Sequence, residues 1–239
     1  MSIFGLWTRR TWKRALAVFA GMAAAELGLF LWAARHSLDG SLKQIMEEGR
    51  FMIAVMPAFL LLTFFLINAG ADRETKQSYT LGRLGVTLRR SFLLRASHNA
   101  LWYLAFWGVQ LAVVLGLCLI WRQMHPMLWS AQTLLLTFFR VSYLHALLPL
   151  GDWFIYIRNL LFFALMGCAT AANVEKKTLY AYLGFSLTFG IYFPAKMGLT
   201  GTAIAELTVL LLLAGIAVIC IINLKDEPGE EAARNGTKA

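Results

Sequence analysis

Residues 100–121 read ALWYLAFWGVQLAVVLGLCLIW, an apolar stretch that contains no charged side chain. A helix of about 20 apolar residues crosses a bilayer whose hydrocarbon core is roughly 30 Å thick. Strands of an outer-membrane barrel would alternate apolar and polar residues, whereas this run is continuous. The stretch therefore predicts a membrane-spanning α-helix.

Five further stretches have the same character. They predict spans at 15–34, 51–71, 153–172, 179–195 and 202–224. The composition agrees, because 59% of the 239 residues are hydrophobic and only 15% are charged, against about 45–50% and 25% in soluble domains. We expect an all-α membrane protein with a single transmembrane domain at 1–224 and a disordered cytoplasmic tail at 225–239.

The basic residues predict the orientation of the chain, because cytoplasmic loops carry an excess of Lys and Arg. With six spans and a cytoplasmic N-terminus, 15 of the 22 lie inside, 6 outside and 1, Arg158, within a span. Those inside are 4 before the first span, 6 between the second and third, 2 between the fourth and fifth, and 3 in the tail. A seventh span at 127–150 would leave 11 inside and 9 outside. We therefore predict six spans with both termini in the cytoplasm.

The segment at 123–150 lies outside in this topology. It contains Arg140, His145 and Pro149, which interrupt an otherwise apolar run. We interpret it as an outer segment that is either an amphipathic helix at the interface or a re-entrant helix pair. The formal charge of +9 indicates contact with anionic membrane lipids in so apolar a chain, and no nucleic-acid partner is expected.

A basic segment connects the second and third predicted spans. Residues 76–95 read KQSYTLGRLGVTLRRSFLLR. In a helical projection of the middle of this segment, one stripe is apolar and consists of Leu81, Leu84 and Leu88. A second stripe is basic and contains Arg83 and Arg90. The pattern predicts a short amphipathic helix parallel to the membrane. Periodicity alone also allows a solvated loop that touches lipid headgroups.

This segment and the order of the spans resemble the small permease subunits of ABC-2-type ABC transporters from Gram-positive bacteria. Such permeases often carry a TLxRLxxxxRR-like stretch followed by an aromatic residue or His before Asn. Here TLGRLGVTLRR occupies 80–90, and His98 and Asn99 follow it. A weaker likeness is HALLPL at 145–150, before Arg158 and Asn159. The layout is similar over nearly the whole chain, and the motifs cover about 40 residues.

The resemblance implies a function in the bacterial plasma membrane. A cytoplasmic coupling helix at 76–95 would dock a separate ABC ATPase, present in two copies, and a second permease, identical or homologous, would complete the pathway. The implied ATPase contacts are Thr80, Leu81, Arg83, Leu84, Arg89 and Arg90. ATP and Mg²⁺ would bind the partner, since this chain has no GxxxxGK[ST] motif to hold nucleotide phosphates. We expect no cofactor, no metal and no catalysis in this chain.

Ionisable residues within spans cost about 2.5–3.5 kcal/mol each on insertion scales and often mark functional sites. The sequence has three, Glu26, Arg158 and Glu206. Glu26 could bind a cationic substrate, relay a proton or pair with another helix. Arg140, His145, Asp152 and Arg158 could line an outer vestibule or cap the outer helices. Two other functions stay open: a non-catalytic anchor or regulatory subunit, and an ion-coupled carrier that uses Glu26.

Overall fold

Residues 3–37, 40–71, 88–151 and 153–176 are described by the computed structural model, together with helical positions 211, 214, 215 and 218. Within these ranges every regular element is an α-helix. The helices are α1 (Ile3–His36), α2 (Leu42–Glu48), α3 (Met52–Ala71), α4 (Leu88–Met124), α5 (Ala131–Arg140), α6 (Ser142–Leu147) and α7 (Trp153–Lys176).

Several of these helices have the length and composition of membrane spans. Thr11–His36 within α1 and Arg90–Met124 within α4 are long and apolar enough to cross a bilayer, and Ile155–Ala171 within α7 is a shorter apolar helix. A third candidate span is the pair Leu42–Glu48 and Met52–Asn68, which bends by 53°. The described residues thus form an all-α membrane protein with two spans, or three if the bent pair counts as one.

Two of the six predicted spans lie wholly or mostly outside the described residues. The fifth, at 179–195, lies outside the described residues, as does the tail at 225–239. The sixth, at 202–224, is described at four positions, all of them helical. The six-span topology as a whole therefore stays a prediction.

The long helices pack as an antiparallel bundle, with α1 against α3 and α4, and α7 against α3 and α4. The Arg14 guanidinium lies 5.7 Å from the Phe65 ring centroid, and that of Arg95 lies 6.0 Å from the Trp7 ring centroid. The starts of α1 and α4 therefore lie beside the end of α3. We call this region, formed by residues 7–14, 63–71 and 88–99, the basic end.

Residues 30–51 and 117–130 form the opposite end of the bundle. There the Trp121 indole donates a hydrogen bond of 3.0 Å to the Gly40 carbonyl. This contact joins the end of α4 to the turn between α1 and α2. Gly40 has a φ of +59°, a left-handed conformation that glycine adopts at little cost.

Helix α4 begins earlier than the predicted span at 100–121. It has 37 residues, or about 55 Å at 1.5 Å per residue, and it starts at Leu88. Residues 88–99 contain no Gly or Pro to end a helix, and Phe92 and Ala96 are buried beside Ala171 of α7. Residues 88–95 of the predicted coupling segment therefore continue the helix of the third span, instead of forming a separate helix.

The outer segment contains the two short helices α5 and α6. Their 10 and 6 residues are too few to cross a bilayer, which takes about 20. The Trp107 indole donates a hydrogen bond of 3.0 Å to the Leu147 carbonyl at the end of α6. Trp107 lies in the middle part of the span predicted at 100–121, so α6 reaches inward beside α4. This geometry favours the re-entrant alternative over the interfacial one.

Candidate functional site

A polar cluster lies inside the bundle where α1, α4 and α6 meet. Glu26 of α1 is 0% exposed and Gln110 of α4 is 1% exposed. The Gln110 side-chain amide donates to Glu26 Oε1 at 2.5 Å and also to the Tyr143 hydroxyl of α6. We call Glu26, Gln110 and Tyr143 the Glu26 cluster.

Helical periodicity brings Glu26 into the interior. The buried positions of α1 recur at intervals of three and four residues, the spacing of one helix face. They include Ala15, Phe19, Met22, Glu26, Phe30 and Ala33. Glu26 therefore continues the apolar stripe that packs against the other helices, and it faces away from lipid.

Gln110 occupies the equivalent place on α4. The side chains one turn away in each direction, Phe106 and Val114, are buried apolar groups. The Tyr143 ring stacks on Phe51, with the ring centroids 6.5 Å apart. The cluster is thus enclosed by apolar side chains, and its electrostatic interactions are much stronger than they would be in water.

Two acceptor atoms of the cluster have no hydrogen-bond donor in the part of the chain that the structure describes. They are Oε2 of Glu26 and Oε1 of Gln110. The ion pair found within the described ranges joins Lys43 to Glu47 on the exposed face of α2, so no described cation neutralises Glu26. Of the three roles that the sequence left open for Glu26, the described contact is a pairing with another helix, through an amide and not through a charge.

Arg158 takes part in a second buried polar contact. Its side chain is 3% exposed, and Nη2 donates to Asn159 Oδ1 at 3.2 Å. Asn159 in turn donates to the Ala146 carbonyl at 2.9 Å, which ties α7 to α6. Asp152 and Glu206, the partners considered for Arg158 from the sequence, lie outside the described residues.

The outer-vestibule residues are only partly described. Arg140 is exposed at the end of α5, and His145 of α6 is half-buried with its ring 5.9 Å from that of Phe139. His145 precedes Ala146, the residue that accepts the hydrogen bond from Asn159.

The basic end holds the described part of the predicted ATPase contacts. Arg90 is exposed near the start of α4, and Arg89 is helical, without a described side chain. Thr80, Leu81, Arg83 and Leu84 lie outside the described residues.

A buried network begins about two turns further along α4. The Trp102 indole donates to His98 Nε2 at 3.2 Å. Asn99 donates to the Thr170 hydroxyl at 3.0 Å, and the Tyr103 hydroxyl donates to that of Thr63 at 3.0 Å. These bonds join α4 to α7 and to α3 just inside the basic end.

Sequence reasoning missed Gln110 and Tyr143. A signal for Gln110 was present, because it is the one amide, charged or histidine side chain in 100–121, and polar residues inside spans often pair between helices. Tyr143 had no such signal. Its role depends on how α6 folds back against α4.

Comparisons with protein-family models, with curated proteins and with solved structures yielded no match for this chain.

Proposed function

We propose that this chain is the membrane-spanning permease subunit of an ATP-driven transporter of the ABC type. In this proposal it forms half of a translocation pathway with a second permease and docks a separate ATPase through residues 76–95. The observation that carries the proposal is the grouping of basic helix starts at one end of the bundle, where Arg95 lies against Trp7 at 6.0 Å.

The grouping agrees with a cytoplasmic docking face. Arg9, Lys13 and Arg14 belong to the start of α1, and Arg89, Arg90 and Arg95 to the start of α4. Lys and Arg accumulate on the cytoplasmic side of membrane proteins. An arginine-rich surface on that side offers planar donors for carboxylates of a protein partner.

The length of α4 supports a mechanical role. At about 55 Å it exceeds the roughly 30 Å hydrocarbon core, so it extends beyond the membrane at one end or both. A push on its start would be carried along one continuous helix to Gln110 in the middle of the bundle. Between Leu88 and Gln110 the helix contains no Pro and one Gly, Gly108, two residues before Gln110.

Close packing between α4 and α7 supports transmission to a second helix. A Cβ atom built at Gly167 would lie 2.5 Å from the Ala96 carbonyl oxygen and 2.8 Å from the Ala100 Cβ. Small residues of this kind let helix backbones approach closely in membranes. A movement of α4 at the basic end would therefore displace α7 with it.

The test is co-purification of the ATPase from native membranes through a tagged copy of this chain. We expect the wild type to retain an ATPase and the triple variant Arg83→Glu, Arg89→Glu, Arg90→Glu to lose it, together with stimulated ATP hydrolysis. A matched control reverses three exposed arginines away from the basic end, Arg35, Arg122 and Arg140. Absence of any co-purifying ATPase, or equal retention by both triple variants, would contradict the proposal.

The same preparation distinguishes the proposed permease from the two other candidate functions. An anchor or regulatory subunit would retain its partner without moving any solute in proteoliposomes. An ion-coupled carrier, which the burial of Glu26 favours as the second candidate, would transport without the ATPase when an ion gradient is imposed. The proposed permease requires both the ATPase and ATP.

A further inference from the structure

The two acceptor oxygens without a described donor, Glu26 Oε2 and Gln110 Oε1, belong to one cluster. Both side chains are at most 1% exposed, so bulk water does not satisfy them. Buried polar atoms in proteins nearly always have a hydrogen-bond partner, and exceptions call for an unseen water, ion or ligand. The cluster therefore has the properties of a site that accepts hydrogen bonds from a bound group.

A proton on Glu26 would supply one donor and would remove the negative charge of the cluster. Protonation of Oε2 would convert that atom into a donor, for which Gln110 Oε1 is a candidate acceptor. When Glu26 is ionised, Glu26 Oε2 and Gln110 Oε1 both lack a described donor.

When Glu26 is ionised, the cluster has one donor left, the O–H of Tyr143, and it can serve only one of these two oxygens. Both hydrogen bonds of the Gln110 amide nitrogen are made, one to Glu26 and one to Tyr143. What the cluster offers is one negative charge and several oxygen acceptors. This combination suits a group that carries one positive charge and at least two N–H donors.

We propose that Glu26, Gln110 and Tyr143 form an intramembrane binding site for a primary ammonium group. Its charge would neutralise the carboxylate, and its N–H donors would serve the oxygens of Glu26 and Gln110 that lack a described donor. A hard metal cation fits less well, because such ions require about six or more oxygen ligands. The Gln110 amide nitrogen would also turn its positive end toward the ion.

This inference deepens the proposed function, because it names amine-bearing molecules as the substrate class. It rests on the proposed function only in treating the bound molecule as a transported substrate, because binding itself requires no ATPase. The site joins the re-entrant helix α6 to the two longest described helices. A ligand held there would contact three elements whose relative movement opens or closes a pathway.

The experiment uses the purified full chain in nanodiscs without an ATPase. Binding of radiolabelled methylammonium is measured by scintillation proximity, with unlabelled tetramethylammonium as a competitor that has the same charge but no N–H group. We expect saturable binding by the wild type, competition by methylammonium only, and a loss of about ten-fold or more in affinity for Glu26→Gln.

The matched control is Glu48→Gln, which removes an exposed carboxylate from α2 and should bind as the wild type does. Thermal unfolding verifies that each variant is folded, and Gln110→Met replaces Glu26→Gln as the deciding variant if the latter fails. No saturable binding by folded wild type, equal competition by tetramethylammonium, or unchanged affinity in the deciding variant overturns the inference. The first of these results would leave an ordered water as the donor.

The outcomes for the two proposals are distinct. Absence of any ATPase co-purifying with the wild type, together with intact methylammonium binding, refutes the transporter assignment and leaves the ammonium site. An ATPase-coupled chain that binds no methylammonium refutes the site and leaves the transporter assignment.

Discussion

Glu26 of α1 accepts a hydrogen bond of 2.5 Å from Gln110 of α4 in the apolar interior of the bundle. Two residues that are 84 positions apart in sequence thus meet where water does not compete for the bond. A hydrogen bond to a charged group contributes about 1.5–3 kcal/mol, and removing one partner costs the desolvation of the other. The pair is therefore both a structural contact between helices and the basis of the ligand site proposed above.

Removal of the donor from this pair should destabilise the protein. Gln110→Leu leaves Glu26 buried without its amide partner, and we expect a loss of about 1–3 kcal/mol, measured as the free energy of unfolding in mixed micelles. The double variant Glu26→Leu, Gln110→Leu should recover most of that loss, because neither side chain then has an unmet hydrogen bond. Gln132→Leu on the exposed face of α5 is the matched control. Equal stability of all three variants would show that the bond contributes nothing.

From the close contact between α7 and α4 we expect Gly167→Ala and Gly108→Ala to change the stability of the protein in opposite directions. Gly167→Ala would bring a methyl group within 2.5 Å of the Ala96 carbonyl oxygen, so the helices must separate and the melting temperature should fall. Gly108→Ala on α4 has nothing within 4 Å of the new methyl group and should raise stability by up to about 1 kcal/mol through helix propensity. A stabilising Gly167→Ala would contradict the close approach.

The hydroxyl of Tyr143 should hold the re-entrant helix in place. Tyr143→Phe removes the acceptor of a hydrogen bond from Gln110, and we expect faster amide hydrogen exchange in α6 with little change in α1. Tyr156→Phe is the matched control, because the Tyr156 hydroxyl makes no hydrogen bond among the described residues. If the two variants exchange equally, Tyr143 does not anchor α6.

The bundle geometry also predicts which positions share one side of the membrane. In a cysteine-free background, single cysteines at Lys13 and Arg90, both exposed at the basic end, should react with an impermeant maleimide only when the cytoplasmic face is accessible. Arg35→Cys and Arg122→Cys should react from the other face. Reaction of positions 13 and 90 from opposite faces would exclude the arrangement in which the starts of α1 and α4 lie at the same end of the bundle.

The class of the protein followed from the sequence because membrane insertion depends on local composition. A charge-free run such as 100–121 must be helical in a bilayer, since only a helix satisfies its own backbone hydrogen bonds within one segment. Helix α3, described over Met52–Ala71, covers nearly the same residues as the apolar stretch at 51–71. Glu26 was likewise recognisable as a buried acid from its place in a span.

Contacts between distant segments were decided only by the tertiary structure. The continuity of α4 through residues 88–99 depends on the burial of Phe92 and Ala96 against α7, which no local pattern of residues 76–95 reveals. The depth of α6 depends on the bonds from Gln110 and Trp107 to residues more than 30 positions away. Hydropathy determines whether a segment enters the membrane, whereas pairwise packing and hydrogen bonding determine which helices meet there and which atoms a ligand can reach.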